Sequence, residues 1–156
     1  MDVSEIAIGV GQIPSGLFIV VAEGEKQIDG YLASWVQQIS FNPLLVSFAI
    51  NSSRPGYDTI ISGKPFSINV VGDHDMQYMR HFWSSYDESP FGQIEHERFG
   101  DGVIAIKAAK AVIECEFVSK SQPGDHEIVV ARVISSKILQ KESKPKVHIR
   151  KSGLDY

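Results

Sequence analysis

The sequence predicts a mainly β, barrel-like fold with a few short helices, and two observations support this prediction. Short apolar runs rich in β-branched residues recur along the chain, separated by glycine, proline and polar turn residues. Helical periodicity is confined to three brief segments. Many short strands with few helices favour a barrel over a doubly wound parallel sheet.

Six segments have strand character, and in chain order they are residues 17–22, 44–50, 66–71, 110–118, 126–136 and 146–149. The first three are continuous apolar runs between turn residues, a pattern typical of buried strands. The fourth alternates, with Ile113, Cys115 and Phe117 on one face and two glutamates on the other. We therefore expect Cys115 to be a packed core thiol.

Three segments are predicted to be helical, at residues 4–10, 53–62 and 75–83. Ser4 is placed to cap the first, and the second begins at Ser53 or Asp58. The third carries an apolar stripe of Met76, Met79 and either Phe82 or Trp83. Residues 84–102 are polar and dotted with glycine, so we expect a long excursion of the type that is often functional or mobile.

Composition narrows the class of protein. The chain has 156 residues, enough for one domain over residues 1–156, and its 43% apolar and 22% charged content is that of a folded protein. Its net charge of −4 gives no general attraction to nucleic acid or acidic membranes. The sequence shows neither a signal peptide nor a membrane-spanning run, and its single cysteine fits a reducing compartment. We expect a cytoplasmic protein.

Several kinds of chemistry are disfavoured. No Gly-x-Ser-x-Gly motif is present, and no serine or cysteine has a histidine partner in any known pattern. The five histidines are scattered and no Cys-x-x-Cys occurs, so no metal site is expected. The last 20 residues are rich in lysine and arginine, most of which we assign to a solvated face.

A turn after the second strand is a candidate phosphate site, formed by Asn51, Ser52, Ser53 and Arg54. A strand that leads into a helix N-terminus presents free N–H groups to an anion. The serines add hydroxyl donors, and Arg54 adds a guanidinium. A plain capped turn explains the same residues, because serine, proline and glycine form turns in all proteins. This segment alone leaves both interpretations open.

The preceding residues, from Gly30 to Asn51, carry polarity within an otherwise core-like stretch. The polar members are Ser34, Gln37, Gln38, Ser40 and Asn42. A buried polar group without a partner costs about 1–3 kcal/mol, so several together indicate an internal hydrogen-bond network or a polar ligand. With the adjacent turn, they favour a polar heterocycle that carries a phosphate.

Seven motifs in order resemble the flavin reductase-like, FMN-binding split-barrel family. They are residues 13–20, 32–36, 40–43, Arg54, 66–70, 124–126 and 148–156. The pattern is similar in particular to the flavin reductase-like module of photosynthetic flavodiiron proteins. The resemblance covers nearly the whole chain, from about residue 6 to the end, and implies a split β-barrel.

The resemblance implies a set of flavin ligands. Residues implied along the ring and ribityl chain are Leu32, Ala33, Ser34, Trp35, Gln38, Ser40, Phe41 and Asn42. The phosphate would meet Asn51, Ser52, Ser53 and Arg54. His148, Arg150 and Tyr156 belong to a terminal stretch that would close over the cofactor or a dimer partner. One departure is Gly56, where many relatives carry Ser or Thr and so a further phosphate hydroxyl.

The implied activity is hydride transfer from NADH or NADPH to flavin by a homodimer, with FMN as cofactor and FAD or riboflavin as alternatives. His126, the implied catalytic residue, would orient the nicotinamide or a proton-relaying water, although a turn-stabilising role fits the sequence equally. Two other functions stay open. One is an FMN-holding carrier that takes electrons from a protein partner, and the other is a non-catalytic flavin-binding module.

Overall fold

The computed structural model describes residues 3–155. In this part of the chain the strands are β1 (Ser15–Gly16), β2 (Phe18–Glu23), β3 (Ile28–Ala33), β4 (Val36–Phe41), β5 (Leu44–Ile50), β6 (Phe66–Val70), β7 (His96–Phe99), β8 (Val103–Ile106), β9 (Ala111–Ser121), β10 (Glu127–Ile138) and β11 (Val147–His148). The helices are α1 (Val3–Gly11), α2 (Tyr57–Ile61) and two 3₁₀ helices, Gln77–Phe82 and Pro90–Gly92.

Seven antiparallel strands form one curled sheet in the order β3-β2-β6-β9-β10-β5-β4. Its two edge strands, β3 and β4, are consecutive in the chain and are joined by Ser34 and Trp35 alone. The sheet must therefore bend until its edges meet. Across this seam, the Tyr31 hydroxyl of β3 donates to the Ala49 carbonyl of β5 at 3.4 Å, and the Ala49 amide continues the β4–β5 pairing by donating to the Trp35 carbonyl at 3.0 Å. The predicted mainly β split barrel is confirmed.

The barrel interior is filled by apolar side chains, with Phe48 and Phe66 in edge-to-face contact at a centroid distance of 5.7 Å. Cys115 is fully buried among them, and burial raises the pKa of its thiol to about 12. The prediction of a packed core thiol is confirmed. Ile113 and Phe117 share this inner face, as the alternation of β9 predicted.

A second layer covers the outer face of β2 and β6, where Ile19 and Val21 pack against Ile104 and Phe91. The prediction that residues 84–102 form a polar excursion holds in part, because most of the segment is exposed and lacks regular structure. It also contains a short 3₁₀ helix and β7, and it buries only three apolar residues, Pro90, Phe91 and Ile94, among exposed neighbours. So few buried residues produce no periodic hydrophobic pattern, and the sequence therefore did not reveal this layer.

The predicted strands at residues 17–22, 44–50, 66–71, 110–118, 126–136 and 146–149 all occur, and only 44–50 keeps both of its predicted ends. The three helices needed correction. Ser4 lies inside α1 rather than capping it, and α2 starts after Gly56, whose φ of 84° is the left-handed region that favours glycine. Residues 77–82 form a 3₁₀ helix whose geometry buries Tyr78 and Phe82, whereas Trp83 is 65% exposed.

Asn69 joins the barrel to the second layer. Hydrogen bonds of its side chain take the place of backbone pairing between strands. Its Nδ2 donates to the Ser67 hydroxyl at 3.0 Å and to the Ile104 carbonyl at 3.3 Å, and its Oδ1 accepts from the Ile106 amide at 2.8 Å. The side chain is fully buried. Both polar ends of the amide are therefore satisfied by groups that cannot reach water.

Replacing Asn69 with alanine is expected to lower the free energy of unfolding by about 2–3 kcal/mol, because it leaves the buried Ile106 amide without its partner. Urea denaturation followed by circular dichroism measures the loss. Ser121→Ala, at an exposed position on β9, is the matched control and should change stability by less than about 0.5 kcal/mol. Equal losses in the two variants would contradict the bridging role of Asn69.

Candidate functional site

A cleft of about 570 Å³ opens beside the seam of the barrel. One wall comes from the β3–β4 link and from the middle of β5, and the opposite wall comes from β1 and the segment that enters β11. Its lining residues are Ile13, Pro14, Ser15, Gly16, Ser34, Trp35, Val36, Gln37, Ser47, Phe48, Ala49, Ile128, Pro145, Lys146 and Val147. Two of the predicted ligands, Ser34 and Trp35, lie in this lining.

Ser34 is the unusual member of the lining. Only 3% of its surface is exposed, and its hydroxyl oxygen has no hydrogen-bond partner within the described range, residues 3–155. Buried hydroxyls in folded proteins nearly always have a partner, and leaving one unpaired costs about 1–3 kcal/mol. The residue sits in the two-residue link where the chain leaves β3, so neither edge strand supplies a partner. A ligand bound in the cleft would supply one.

Trp35 is contacted by two basic side chains that the sequence separates widely. The Arg150 guanidinium carbon lies 5.2 Å from the centroid of the indole, and the His126 ring lies at 5.2 Å and 68° to it. Arg150 is only 9% exposed, and no carboxylate forms an ion pair with it in the part of the chain that the structure covers. Its guanidinium donates a hydrogen bond to the Gly153 carbonyl at 3.4 Å. A buried cation of this kind favours an anionic ligand nearby.

His126 occupies the turn before β10. Its Nδ1 lies 2.9 Å from Oδ1 of Asp125, and this hydrogen bond holds the pKa of the Asp125 carboxyl below its usual value. The Asp125 side chain is otherwise exposed. The histidine therefore reaches Trp35 with one nitrogen engaged, an arrangement that serves either a turn-stabilising role or a ligand-facing one.

The Asn51–Arg54 segment forms a compact turn. The amide and hydroxyl of Ser53 donate to Asn51 Oδ1 at 3.0 and 2.8 Å, and the Arg54 amide donates to the Asn51 carbonyl at 3.0 Å. The five-residue α2 begins beyond it, so a helix dipole does not support the site as expected. The Ser52 hydroxyl and the Arg54 guanidinium make no hydrogen bond or ion pair with any described residue. These two groups stay available to an anion.

This turn is fastened to the turn that carries His126. The side-chain amide of Asn51 donates to the Asp125 carbonyl at 3.4 Å, and β10 pairs with β5 so that Glu127 lies opposite Ile50. The structure therefore brings together the β3–β4 link, the Asn51–Arg54 turn, His126 and Arg150. The family resemblance implied that all four belong to one flavin site, and that assignment stays a prediction.

Four other predicted ligands lie on the β4–β5 hairpin, away from the cleft. They are Gln38, Ser40, Phe41 and Asn42. At about 3.4 Å per residue, Phe41 stands roughly 20 Å from Trp35 along the strand, and its side chain is 90% exposed. The expectation that this polarity is buried is wrong except for Ser34, because β4 is an edge strand. Flavin contact by these four residues stays a prediction.

The remaining predicted ligands are dispersed. Ala33 packs in the barrel interior, and Leu32 packs against the outer layer. His148 lies in β11 opposite Ser15, next to the cleft wall. Tyr156 lies outside the described residues.

Lys146 lines the cleft, although sequence reasoning placed the C-terminal lysines on a solvated face. Its position depends on the pairing of β11 with β1 and on the hydrogen bond that its backbone amide donates to the Val71 carbonyl at 2.9 Å, both of which join distant parts of the chain. No local pattern signals such pairing. The lining contains this lysine and no Asp or Glu, so the cleft favours an anion although the chain carries a net charge of −4.

Within residues 3–155, no helix is long and apolar enough to cross a membrane. Among those same residues, no three His, Cys, Asp or Glu side chains are grouped so that they would hold a metal ion.

The fold and the cleft define a split-barrel protein with a candidate ligand site at the seam of its sheet. The sequence profile of the flavin reductase like domain matches residues 10–153. The chain belongs to this family, and the resemblance found from the sequence is confirmed.

Curated relatives include the putative diflavin flavoprotein A 6 of Nostoc sp. PCC 7120, which is 34% identical over 94% of the chain. The chain spans only 26% of that protein, about a quarter of its length. Among solved structures, the flavin reductase PheA2 is 24% identical with a TM-score of 0.81, over 97% of this chain and 95% of that one. The Streptomyces globisporus C-1027 NADH:FAD oxidoreductase SgcE6, solved with NAD and FAD fragments, is 20% identical with a TM-score of 0.81, over 94% and 86%. These two structures show that the fold is shared.

Proposed function

We propose that the protein binds FMN in the seam cleft and acts as an NAD(P)H-dependent flavin reductase. The observation that carries the proposal is the unpartnered, buried hydroxyl of Ser34 in a cleft lined by no carboxylate. A planar heterocycle with hydrogen-bonding edges satisfies such a hydroxyl. Membership of the flavin reductase like family supports the choice of flavin as that heterocycle.

Each part of the site then has a role. Ser34 hydrogen-bonds to the edge of the ring, and Trp35 covers the ring and excludes water. Arg54 and Ser52 hold the phosphate, while Arg150 supplies positive charge beside Trp35. A bound flavin would accept the hydride, so the protein needs no nucleophile of its own. His126, next to Trp35, orients the nicotinamide or a water.

We also propose that the protein works as a homodimer. Apolar side chains at and beside the cleft mouth are exposed in the single chain, namely Ile13, Val147, Ile149 and Leu154. A cluster of exposed apolar residues favours a protein interface. A second copy of the chain would cover this surface and narrow the open cleft.

An electron-carrier function is the second candidate. It is favoured by the diflavin flavoproteins among the relatives, because the chain corresponds to about a quarter of one such protein and that name indicates a second flavin. In this case a protein partner, rather than a nicotinamide, supplies the electrons. A flavin-binding module without redox turnover is the remaining possibility.

Titration of the purified protein with FMN, FAD and riboflavin, followed by quenching of flavin fluorescence, tests the binding step. We expect saturable binding, tightest for FMN. Anaerobic addition of NADH or NADPH to the loaded protein should then bleach the flavin band near 450 nm. Bleaching by dithionite but by neither nicotinamide would exclude the reductase and favour the carrier. A protein that binds none of the three flavins would contradict both.

A further inference from the structure

Behind the Asn51–Arg54 turn lies a group of three polar side chains that the proposed reaction does not use. The Tyr57 hydroxyl donates to Glu127 Oε2 at 2.6 Å, and Lys120 Nζ donates to Glu127 Oε1 at 2.9 Å and to the Tyr57 hydroxyl at 2.8 Å. Tyr57 and Glu127 are buried, and the ammonium also lies 5.4 Å from the centroid of the Tyr57 ring. The hydrogen bond from Tyr57, together with that from Lys120, holds the pKa of Glu127 below its usual value. We call these three residues the clamp.

The clamp connects the two turns of the candidate phosphate site. Tyr57 follows Arg54 by three residues, and its amide donates to the Arg54 carbonyl at 3.2 Å. Glu127 is the neighbour of His126 in sequence. Because Asn51 also bonds to the Asp125 carbonyl, residues 51–57 are fastened on both sides of His126, once at residue 125 and once at residue 127. The backbones that carry Arg54 and His126 are thereby held in one unit.

The way the hydrogen bonds are distributed points to a positioning role. The polar atoms of the clamp form hydrogen bonds with one another and do not need Arg54 as a partner. The Arg54 side chain makes no hydrogen bond or ion pair within residues 3–155. An ion pair of this kind is weak evidence for added stability, since apolar residues of similar volume often serve as well. What it does provide is a fixed geometry between two loops, which otherwise move more than strands.

We propose that Tyr57, Lys120 and Glu127 are positioning residues that set how strongly the protein prefers FMN to riboflavin. The proposal rests on the proposed flavin site and extends it to the residues that control recognition of the phosphate. The clamp touches no ligand. It acts through the Asn51–Arg54 turn by holding Arg54 at the end of the proposed site that receives the phosphate. Trp35 and His126 face the flavin ring at the other end.

The test is the ratio of the dissociation constants for riboflavin and FMN, measured by fluorescence quenching. In Tyr57→Phe and Glu127→Gln, FMN binding should weaken about 10-fold and riboflavin binding less than about 3-fold, so the ratio falls. Tyr78→Phe is the matched control, because that buried hydroxyl has no hydrogen-bond partner in residues 3–155, and it should leave the ratio unchanged. Asn69→Ala controls for destabilisation far from the turn.

A conservative replacement separates position from charge loss. Lys120→Met should lower the ratio of the riboflavin and FMN dissociation constants. Lys120→Arg should keep most of the parent ratio, because arginine keeps the charged donor. The Lys120 side chain is 37% exposed, so these two variants decide the question if the others fail to fold. If the parent protein prefers FMN but the clamp variants keep that preference, or lose affinity for both flavins equally, the positioning role of the clamp is wrong and the proposed function stands. A parent that binds no flavin would overturn the proposed function and the clamp together.

Discussion

Replacing Ser34 with leucine is expected to weaken FMN binding by about 100-fold or more while the barrel still folds. The side chain lies in the lining of the cleft, in the link between the two edge strands, where a larger group projects into the space that a ring would occupy. A flavin that clashes with it loses the contacts of a whole ring face, and about 2.7 kcal/mol of lost binding corresponds to 100-fold. Fluorescence titration measures the affinity, and circular dichroism with thermal melting verifies the fold.

Ser34→Ala is the matched control, and its two effects have opposite signs. It removes a buried hydroxyl that has no partner in the described chain, so the ligand-free protein should become more stable or stay unchanged. The same change removes one hydrogen bond to the ligand, which should weaken FMN about 3- to 10-fold. Loss of stability without loss of affinity would show that the hydroxyl serves the fold, and the flavin site would then lie elsewhere.

The sequence predicted the barrel because its principal strands are visible as local patterns. Residues 44–50 form a continuous apolar run and emerged as β5 with the same bounds. β3 and β4 were missed as strands because Gly30, Gln37 and Gln38 dilute the apolar pattern that marks a buried strand. β4 is an edge strand, and such strands need little apolar surface. The polar residues of β4 were therefore wrongly expected to be buried.

The candidate site was predicted where one short segment carries the chemistry, as at Ser34–Trp35 and Asn51–Arg54. It was missed where long-range pairing brings residues in. Lys146 enters the cleft through the pairing of β11 with β1, and Tyr57 meets Glu127 across 70 residues. Such contacts depend on how the sheet closes, and no local period records them. Arg150 was named because of the family resemblance, and its contact with Trp35 emerged only from the structure.

Replacing Arg54 with alanine is expected to weaken FMN about 10- to 100-fold and to leave riboflavin within about 2-fold, since a charge-assisted bond contributes about 1.5–3 kcal/mol. The side chain is half-buried and makes no ion pair within residues 3–155, so its removal should barely change stability. Paired titrations with the two flavins give the result directly. Arg132→Ala is the control, because that exposed arginine pairs with Glu116 at 2.9 Å on the barrel wall.

Arg150 is the competing phosphate ligand, and the same titrations distinguish the two arginines. Arg150→Met keeps an unbranched, apolar side chain but removes the guanidinium and its charge beside Trp35. If Arg54 meets the phosphate, Arg150→Met should weaken FMN and riboflavin to a similar degree, because its effect passes through the indole that covers the ring. A loss specific to FMN in Arg150→Met, with Arg54→Ala unchanged, would move the phosphate to the C-terminal side of the cleft. The flavin would then lie reversed across the seam, with its ring toward the Asn51–Arg54 turn.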